Sequence, residues 1–129
     1  MSRSNPLVAV SDSSNSLPES CTLALGEKGW RILRISDKAE LLEILCALLP
    51  DLIVTDIQSA NMDGLELLEE VKICGRTKDI PVIVTSDLVG LKREAMDLGA
   101  KEFLVKPFGT VEFLKAAESA IVRSPWYDG

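Results

Sequence analysis

The sequence predicts an α/β fold built on a parallel sheet. Short apolar segments alternate with longer segments whose apolar residues recur every three or four positions. Glycine, proline, aspartate and serine stand between these segments, where turns and helix caps are expected. Such alternation of strands and helices produces parallel strands, because right-handed crossovers place the connecting helices on both faces of the sheet.

Five segments are predicted to be strands. Two of them are apolar almost throughout, which is typical of strands covered on both faces. The predicted strands are residues 7–10, 31–35, 52–55, 81–85 and 103–105.

Five helices are predicted between and after the strands. The first begins in a capping-box pattern at Ser16 and ends at Gly26 or Gly29. Asp37 caps the second helix, which is strongly apolar and which Pro50 closes.

The last three helices have clear boundaries in the sequence. The third helix follows a turn at Asp63 and Gly64, and Gly99 stops the fourth. Residues 88–91 carry Leu and Val side chains that we assign to helix and core. The final helix has apolar residues at helical spacing over residues 111–121.

Composition limits the classes of function. The chain has 129 residues and a formal net charge of −6, which argues against direct nucleic-acid binding. No apolar segment is long enough to span a membrane. The absence of histidine excludes imidazole catalysis by this chain and a phosphohistidine on it. We predict one domain over residues 7–123, with an N-terminal tail at residues 1–6 and a C-terminal tail or the start of a linker at residues 124–129.

The three cysteines are odd in number and lack paired spacing. We predict that Cys21, Cys46 and Cys74 are free thiols, with the first two buried in apolar helices. Free thiols are typical of a reducing compartment, so a cytoplasmic location is expected.

Polar residues follow four of the predicted strands. They are Asp12, Asp56, Ser86 and Lys106. Because ligands of open α/β sheets bind beyond the carboxyl ends of the strands, these side chains should meet at one site. Paired carboxylates suit Mg²⁺, and a carboxylate can attack phosphorus while the cation and a lysine stabilise the charge on the phosphoryl oxygens.

Three segments in this order resemble the response-regulator receiver domain. They are DLIVTDIQSANMDG (residues 51–64), PVIVTS (residues 81–86) and GAKEFLVKPF (residues 99–108). The resemblance extends from Leu7 to about Val122. It implies a flavodoxin-like fold with strand order 2-1-3-4-5, acting as a phosphorylation-controlled switch in a two-component relay.

The resemblance also implies a role for each site residue. Asp56 would accept a phosphoryl group from a histidine kinase or a phosphotransfer protein. Mg²⁺ would be held by Asp12, Asp56 and the backbone carbonyl of Gln58. Lys106, whose bond to Pro107 would be cis, would contact the phosphoryl group. Ser86 and Phe103 would form the switch pair. The surface of the fourth helix, fifth strand and fifth helix would bind an output domain or a second copy.

Several positions depart from the family pattern. Ser11 stands where a second acid is usual, so at most it holds a metal-bound water. Ser59 and Ala60 replace a common Met-Pro, and Asp87 replaces a small residue. The segment from Ser86 to Gly99 is also slightly short. These changes leave the fold unaffected but bear on phosphorylation.

Three alternative functions follow. A degenerate receiver would bind partners without phosphorylation. A phosphohydrolase with Asp56 as nucleophile would need an acid two residues later, where Gln58 stands. A flavin carrier would need a phosphate-binding loop, which is not evident. Each site residue, considered by itself, could have a purely structural role as a helix cap, a turn residue or a core residue. Their joint placement after four strands favours the regulatory domain, not an enzyme.

Overall fold

A computed structural model of the chain describes residues 5–11, 17–59 and 62–122. Within these ranges, five parallel strands form one sheet in the order β2-β1-β3-β4-β5, which confirms the predicted order. The strands are β1 (Leu7–Ser11), β2 (Arg31–Ile35), β3 (Leu52–Asp56), β4 (Val82–Ser86) and β5 (Glu102–Val105).

The same ranges contain five α-helices, and a 3₁₀ turn at Val89–Leu91 leads directly into the fourth. The helices are α1 (Glu19–Glu27), α2 (Lys38–Leu48), α3 (Gly64–Ile73), α4 (Lys92–Asp97) and α5 (Thr110–Val122). None of the helices in the described parts of the chain is both long and apolar enough to cross a membrane.

The sheet separates two hydrophobic cores. One core lies against α2, α3 and α4 and includes Leu41, Leu67 and Ala95. The other lies against α1 and α5 and includes Leu25 and Phe113. Successive strand residues face opposite cores, so β3 and β4 are buried along their whole length. This double coverage explains why the first three residues of each of these strands are all apolar.

The first helix begins later than its sequence predicted. Pro18 occupies the N-cap position in an extended conformation, with ψ 143°, and its own side chain makes no capping hydrogen bond. The helix therefore starts at Glu19, and the predicted start at Ser16 is wrong, although Ser16 itself lies outside the described residues. Gly29, with φ +84°, follows the last turn, so it is the glycine that ends the helix.

The second helix begins as predicted. The side chain of Asp37 accepts a hydrogen bond from the backbone N–H of Glu40 at 3.0 Å. The helix ends before Leu49, whose backbone is left-handed with φ 48°. This conformation costs free energy in any residue that has a Cβ. It ends α2 immediately before Pro50.

Two loops differ from expectation. The loop after Asp56 forms a short antiparallel ribbon in which Gln58–Ser59 pairs with Met62–Asp63. After β4, Leu88 and Val89 are exposed, at 47% and 65% of their surface. Their assignment to the core is therefore wrong. Leu88 and Val89 precede α4, which starts only at Lys92, whereas Leu91 is partly buried against the core, as predicted.

The cysteines also differ in part from expectation. Cys21 is buried and all three thiols are free, as predicted. Cys46 is only half-buried, so its assignment as a buried thiol is wrong. It lies near the end of α2, where its side chain interacts with that of Cys74. Sequence spacing gave no sign of this pair, because the fold alone brings the ends of α2 and α3 together.

Candidate functional site

The structure brings most of the predicted site residues to one edge of the sheet. Ser11, Asp56 and Ser86 are the last residues of β1, β3 and β4, and Lys106 directly follows β5. The strands are parallel and in register, so their carboxyl ends coincide. Asp12 belongs to the predicted set but lies outside the described residues.

Lys106 and Asp56 form the centre of this site. The Lys106 ammonium donates to the Oδ2 carboxylate oxygen of Asp56. Only 7% of the Asp56 side chain and 23% of the Lys106 side chain are exposed, so water screens this pair weakly. The backbone N–H of Lys106 donates to the Ser86 carbonyl at 2.8 Å, which ties the lysine to the end of β4. The Lys106–Pro107 peptide bond is cis.

Gly64 permits the start of α3 to lie against the backbone of Asp56. A Cβ at position 64 would lie only 2.6 Å from the Asp56 carbonyl oxygen. The Gly64 N–H donates to the Ile57 carbonyl at 3.2 Å, which completes the turn back to β3. The sequence predicted a turn at Gly64, but the close approach that requires glycine is visible only in the structure.

Two threonines near the site were not singled out from the sequence. Ser11 is fully buried, and its hydroxyl donates to the Thr55 hydroxyl at 2.7 Å. Thr85 pairs in register with Asp56, and its buried hydroxyl has no hydrogen-bond partner within the described chain. A threonine inside an otherwise apolar strand is the signal that could have identified them.

The predicted switch residues lie on adjacent strands and on the same face of the sheet. In the register of β4 and β5, Val84 pairs with Phe103 and Ser86 pairs with Val105, which makes Ser86 and Phe103 diagonal neighbours. The Phe103 ring is buried, with 9% of the residue exposed. The Ser86 hydroxyl oxygen accepts a hydrogen bond from the Leu88 N–H at 2.9 Å. Ser86 thus fixes the exit of β4 in this conformation.

The arrangement has a specific chemical capacity. A carboxylate with a lysine ammonium on one side can attack an electrophile, and the ammonium can stabilise oxygens that gain negative charge. Within the described ranges, no three carboxylate, thiol or imidazole groups cluster closely enough to hold a metal ion. Asp56 is the buried acid that the described residues place at this edge, and Gln58 begins the ribbon two residues later.

A family comparison identifies the chain. The model of the response regulator receiver domain matches residues 8–118. This chain belongs to the response regulator receiver family. The match covers β1 to most of α5, so it includes every element that contributes to the site.

Individual relatives of this receiver domain agree with the family match. The chain is 28% identical over 122 residues to the response regulator MprA of Mycolicibacterium vanbaalenii, covering 95% of this chain and 53% of MprA. It thus spans about half the length of the curated relatives that it matches.

Solved structures share the fold. The Francisella response regulator 1452 receiver domain is 26% identical, with a TM-score of 0.80 and coverage of 92% of this chain and 98% of that one. The receiver domain of the sensor histidine kinase PA1611 from Pseudomonas aeruginosa is 17% identical, with a TM-score of 0.79 and coverage of 92% and 99%. That protein has a magnesium ion coordinated in its active site cleft.

Proposed function

We propose that this receiver domain, over residues 7–123, accepts a phosphoryl group on Asp56 and thereby switches a protein-interaction surface. The contact between Lys106 and the Asp56 carboxylate carries the proposal. One carboxylate oxygen of Asp56 attacks the phosphorus of a donor, the bond from phosphorus to the donor breaks, and an aspartyl phosphate forms. Lys106 then balances the charge of the phosphoryl oxygens.

Mg²⁺ is the cofactor that fits this site. Its preferred ligands are hard oxygens, and it keeps several waters while few protein groups bind it. Asp56 supplies a nearly buried carboxylate, and we propose the Gln58 backbone carbonyl and Asp12 as further ligands. When bound, Mg²⁺ would neutralise charge on the transferring group. Ser11 would contribute at most through a water, and its hydroxyl already donates to Thr55.

Ser86 and Phe103 are proposed as the switch pair. In the state observed, the Ser86 oxygen accepts from the Leu88 N–H. A phosphoryl group on Asp56 would offer the Ser86 hydroxyl a charged acceptor, which forms a stronger hydrogen bond than a neutral partner. Movement of Ser86 would alter the exposed Leu88–Val89 segment and the packing of Phe103, which lies diagonally across the sheet.

We propose that the readout surface is formed by α4, β5 and α5. A groove of about 310 Å³ lies between β5 and α5, with Phe103, Lys115 and Ala116 among its lining residues. Met96 on α4 and Val111 on α5 are exposed. A groove with an apolar floor and charged rim suits a protein partner, either an output domain or a second copy. The phosphoryl donor would be a histidine kinase or a phosphotransfer protein in the cytoplasm.

A degenerate receiver is the second candidate. Ser11 supplies no negative charge at the end of β1, and Asp87 lies exposed directly after Ser86. A carboxylate at that place would repel an incoming phosphoryl donor. In this alternative the same α4-β5-α5 surface binds partners without phosphorylation.

Intact-mass measurement distinguishes the two candidates. The protein is incubated with Mg²⁺ and a small acyl-phosphate donor, alongside an Asp56→Asn variant and a sample without Mg²⁺. We expect the wild-type chain to gain one phosphoryl group and both controls to gain none. A folded wild-type chain that gains none, also with a histidine-kinase donor, would favour the degenerate receiver. Release of phosphate from a generic phosphate ester would instead favour the phosphohydrolase.

A further inference from the structure

We propose that Cys46 and Cys74 form an oxidisable dithiol site, which a hydroperoxide converts into an intramolecular disulfide. The two residues lie on different elements, near the end of α2 and directly after α3. Their side chains interact with one another, and the Arg76 side chain, two residues after Cys74, contacts the Cys46 carbonyl oxygen. The two thiols are therefore neighbours, which a disulfide between them requires.

Arg76 holds the two segments together independently of the sulfurs. Its guanidinium Nε and Nη2 donate to the Cys46 carbonyl oxygen at 3.1 and 2.8 Å. The backbone N–H groups of Thr77 and Lys78 donate to the Cys74 carbonyl oxygen at 3.1 and 2.9 Å. Both cysteine backbones are thus fixed in position, which keeps the thiols close and reduces the entropy lost when they join.

The two thiols differ in reactivity in a way that assigns their roles. The backbone N–H of Arg76 is the main cause that lowers the pKa of Cys74, so this thiol forms the attacking thiolate more readily. Burial is the main cause that raises the pKa of Cys46, which suits the resolving thiol. Both residues are half-buried, whereas Cys21 is fully buried and serves as an internal control.

The oxidation is balanced with one hydroperoxide. The Cys74 thiol loses its proton, and the thiolate attacks the peroxide. The O–O bond breaks, a sulfenic acid forms, and the departing hydroxide (or alkoxide) takes up that proton as water (or alcohol). The Cys46 thiol then loses its proton and attacks the Cys74 sulfur. The S–S bond forms, the S–O bond breaks, and hydroxide leaves with the proton as water. The two thiols lose two electrons in all, and the peroxide gains them.

The dithiol site is separate from the phosphoacceptor site. The crossover helices run antiparallel to the strands, so the ends of α2 and α3 lie toward the amino ends of the sheet. Asp56 lies at the opposite edge. Oxidation of the dithiol site therefore does not depend on the proposed phosphorylation of Asp56. Reversible disulfides in reducing compartments commonly serve redox sensing, which is consistent with half-exposed thiols.

Intact-mass and peptide analysis test the proposal. The fully reduced chain is treated with equimolar hydrogen peroxide, quenched, denatured and alkylated. We expect a loss of two hydrogen atoms, one alkylated cysteine (Cys21), and a Cys46–Cys74 linked peptide that dithiothreitol releases. Three alkylated cysteines, a disulfide that includes Cys21, or a cross-link only between chains would overturn the proposal.

Two variants test the separate roles of the thiols. In Cys46→Ser, Cys74 should still react and stop at a sulfenic acid that dimedone traps. In Cys74→Ser, peroxide consumption should fall by at least about tenfold, because the attacking thiolate is gone. Cys21→Ser, as the control, should form the disulfide normally. Equal peroxide consumption in Cys74→Ser and wild type, with both proteins folded by circular dichroism, would contradict the assignment.

Discussion

The Lys106 ammonium contacts the Oδ2 oxygen of Asp56 although the two residues are 50 positions apart in the chain. The contact depends on three strands, since β3 and β5 lie on either side of β4. The Lys106 N–H bond to the Ser86 carbonyl then directs the lysine back across the strand ends. This contact thus reports whether the carboxyl ends of β3, β4 and β5 are assembled.

Lys106 should be necessary for rapid phosphoryl uptake. In Lys106→Gln a neutral side chain of similar reach replaces the ammonium, so charge on the phosphoryl oxygens is less stabilised. We expect the rate of uptake from an acyl-phosphate donor to fall about 100-fold. Lys106→Arg keeps the charge and should recover part of the rate. Time-resolved intact-mass measurement gives the rate of phosphoryl uptake for each variant. Equal rates in Lys106→Gln and in the wild-type chain would rule out this role for the lysine.

Ser11 should limit the affinity for Mg²⁺. Ser11→Asp adds a carboxylate at the end of β1, and we expect Mg²⁺ to bind roughly tenfold more tightly by calorimetry, equivalent to about 1.4 kcal/mol. Because position 11 is fully buried, the added charge should lower the melting temperature when Mg²⁺ is absent. Ser11→Asn matches the size without the charge and should not tighten binding. A similar gain in Ser11→Asn would show that charge is not the cause.

Gly64 should be required for the structure around Asp56. In Gly64→Ala the Cβ would lie 2.6 Å from the Asp56 carbonyl oxygen, so backbone must move. We expect the free energy of unfolding to fall by about 2–4 kcal/mol in urea titrations.

Gly26→Ala is the matched control, because nothing lies within 4 Å of its Cβ and the residue is inside α1. That change should stabilise the protein by about 0.5–1 kcal/mol. Equal stability of the two variants would contradict the close approach at Gly64.

Cys74 should remain reactive at lower pH than the other two thiols. The pKa of Cys74 is lowered, chiefly by the Arg76 N–H, whereas burial raises the pKa of Cys21 and Cys46. As pH falls, the thiolate fractions of Cys21 and Cys46 therefore decline first and that of Cys74 last. Alkylation rates measured for each cysteine by peptide mass across a pH series check this order. Identical profiles for Cys74 and Cys46 would argue against it.

Most strands and helices, and their alternation, could be predicted from the sequence, and the order of the strands followed from the resemblance to receiver domains. Short apolar segments and segments of period 3.6 are local signals, because burial of each residue depends on which face of its own element it occupies. For the same reason, Asp37 could be identified as a cap, and Asp56, Ser86 and Lys106 could be placed at one edge from strand ends alone. The resemblance to receiver domains supplied their roles.

Contacts between segments that are distant in the sequence could be identified only from the tertiary structure. The buried Asp51 carboxylate accepts from the Leu7 N–H at 2.8 Å, and nothing in the sequence links these two residues. The Cys46–Cys74 pair, the Ser11–Thr55 hydrogen bond and the fit of Gly64 against Asp56 are of the same kind. Each depends on how two elements pack in three dimensions. Periodicity specifies which face of an element is buried, but the partner across that face is specified only when the chain has folded.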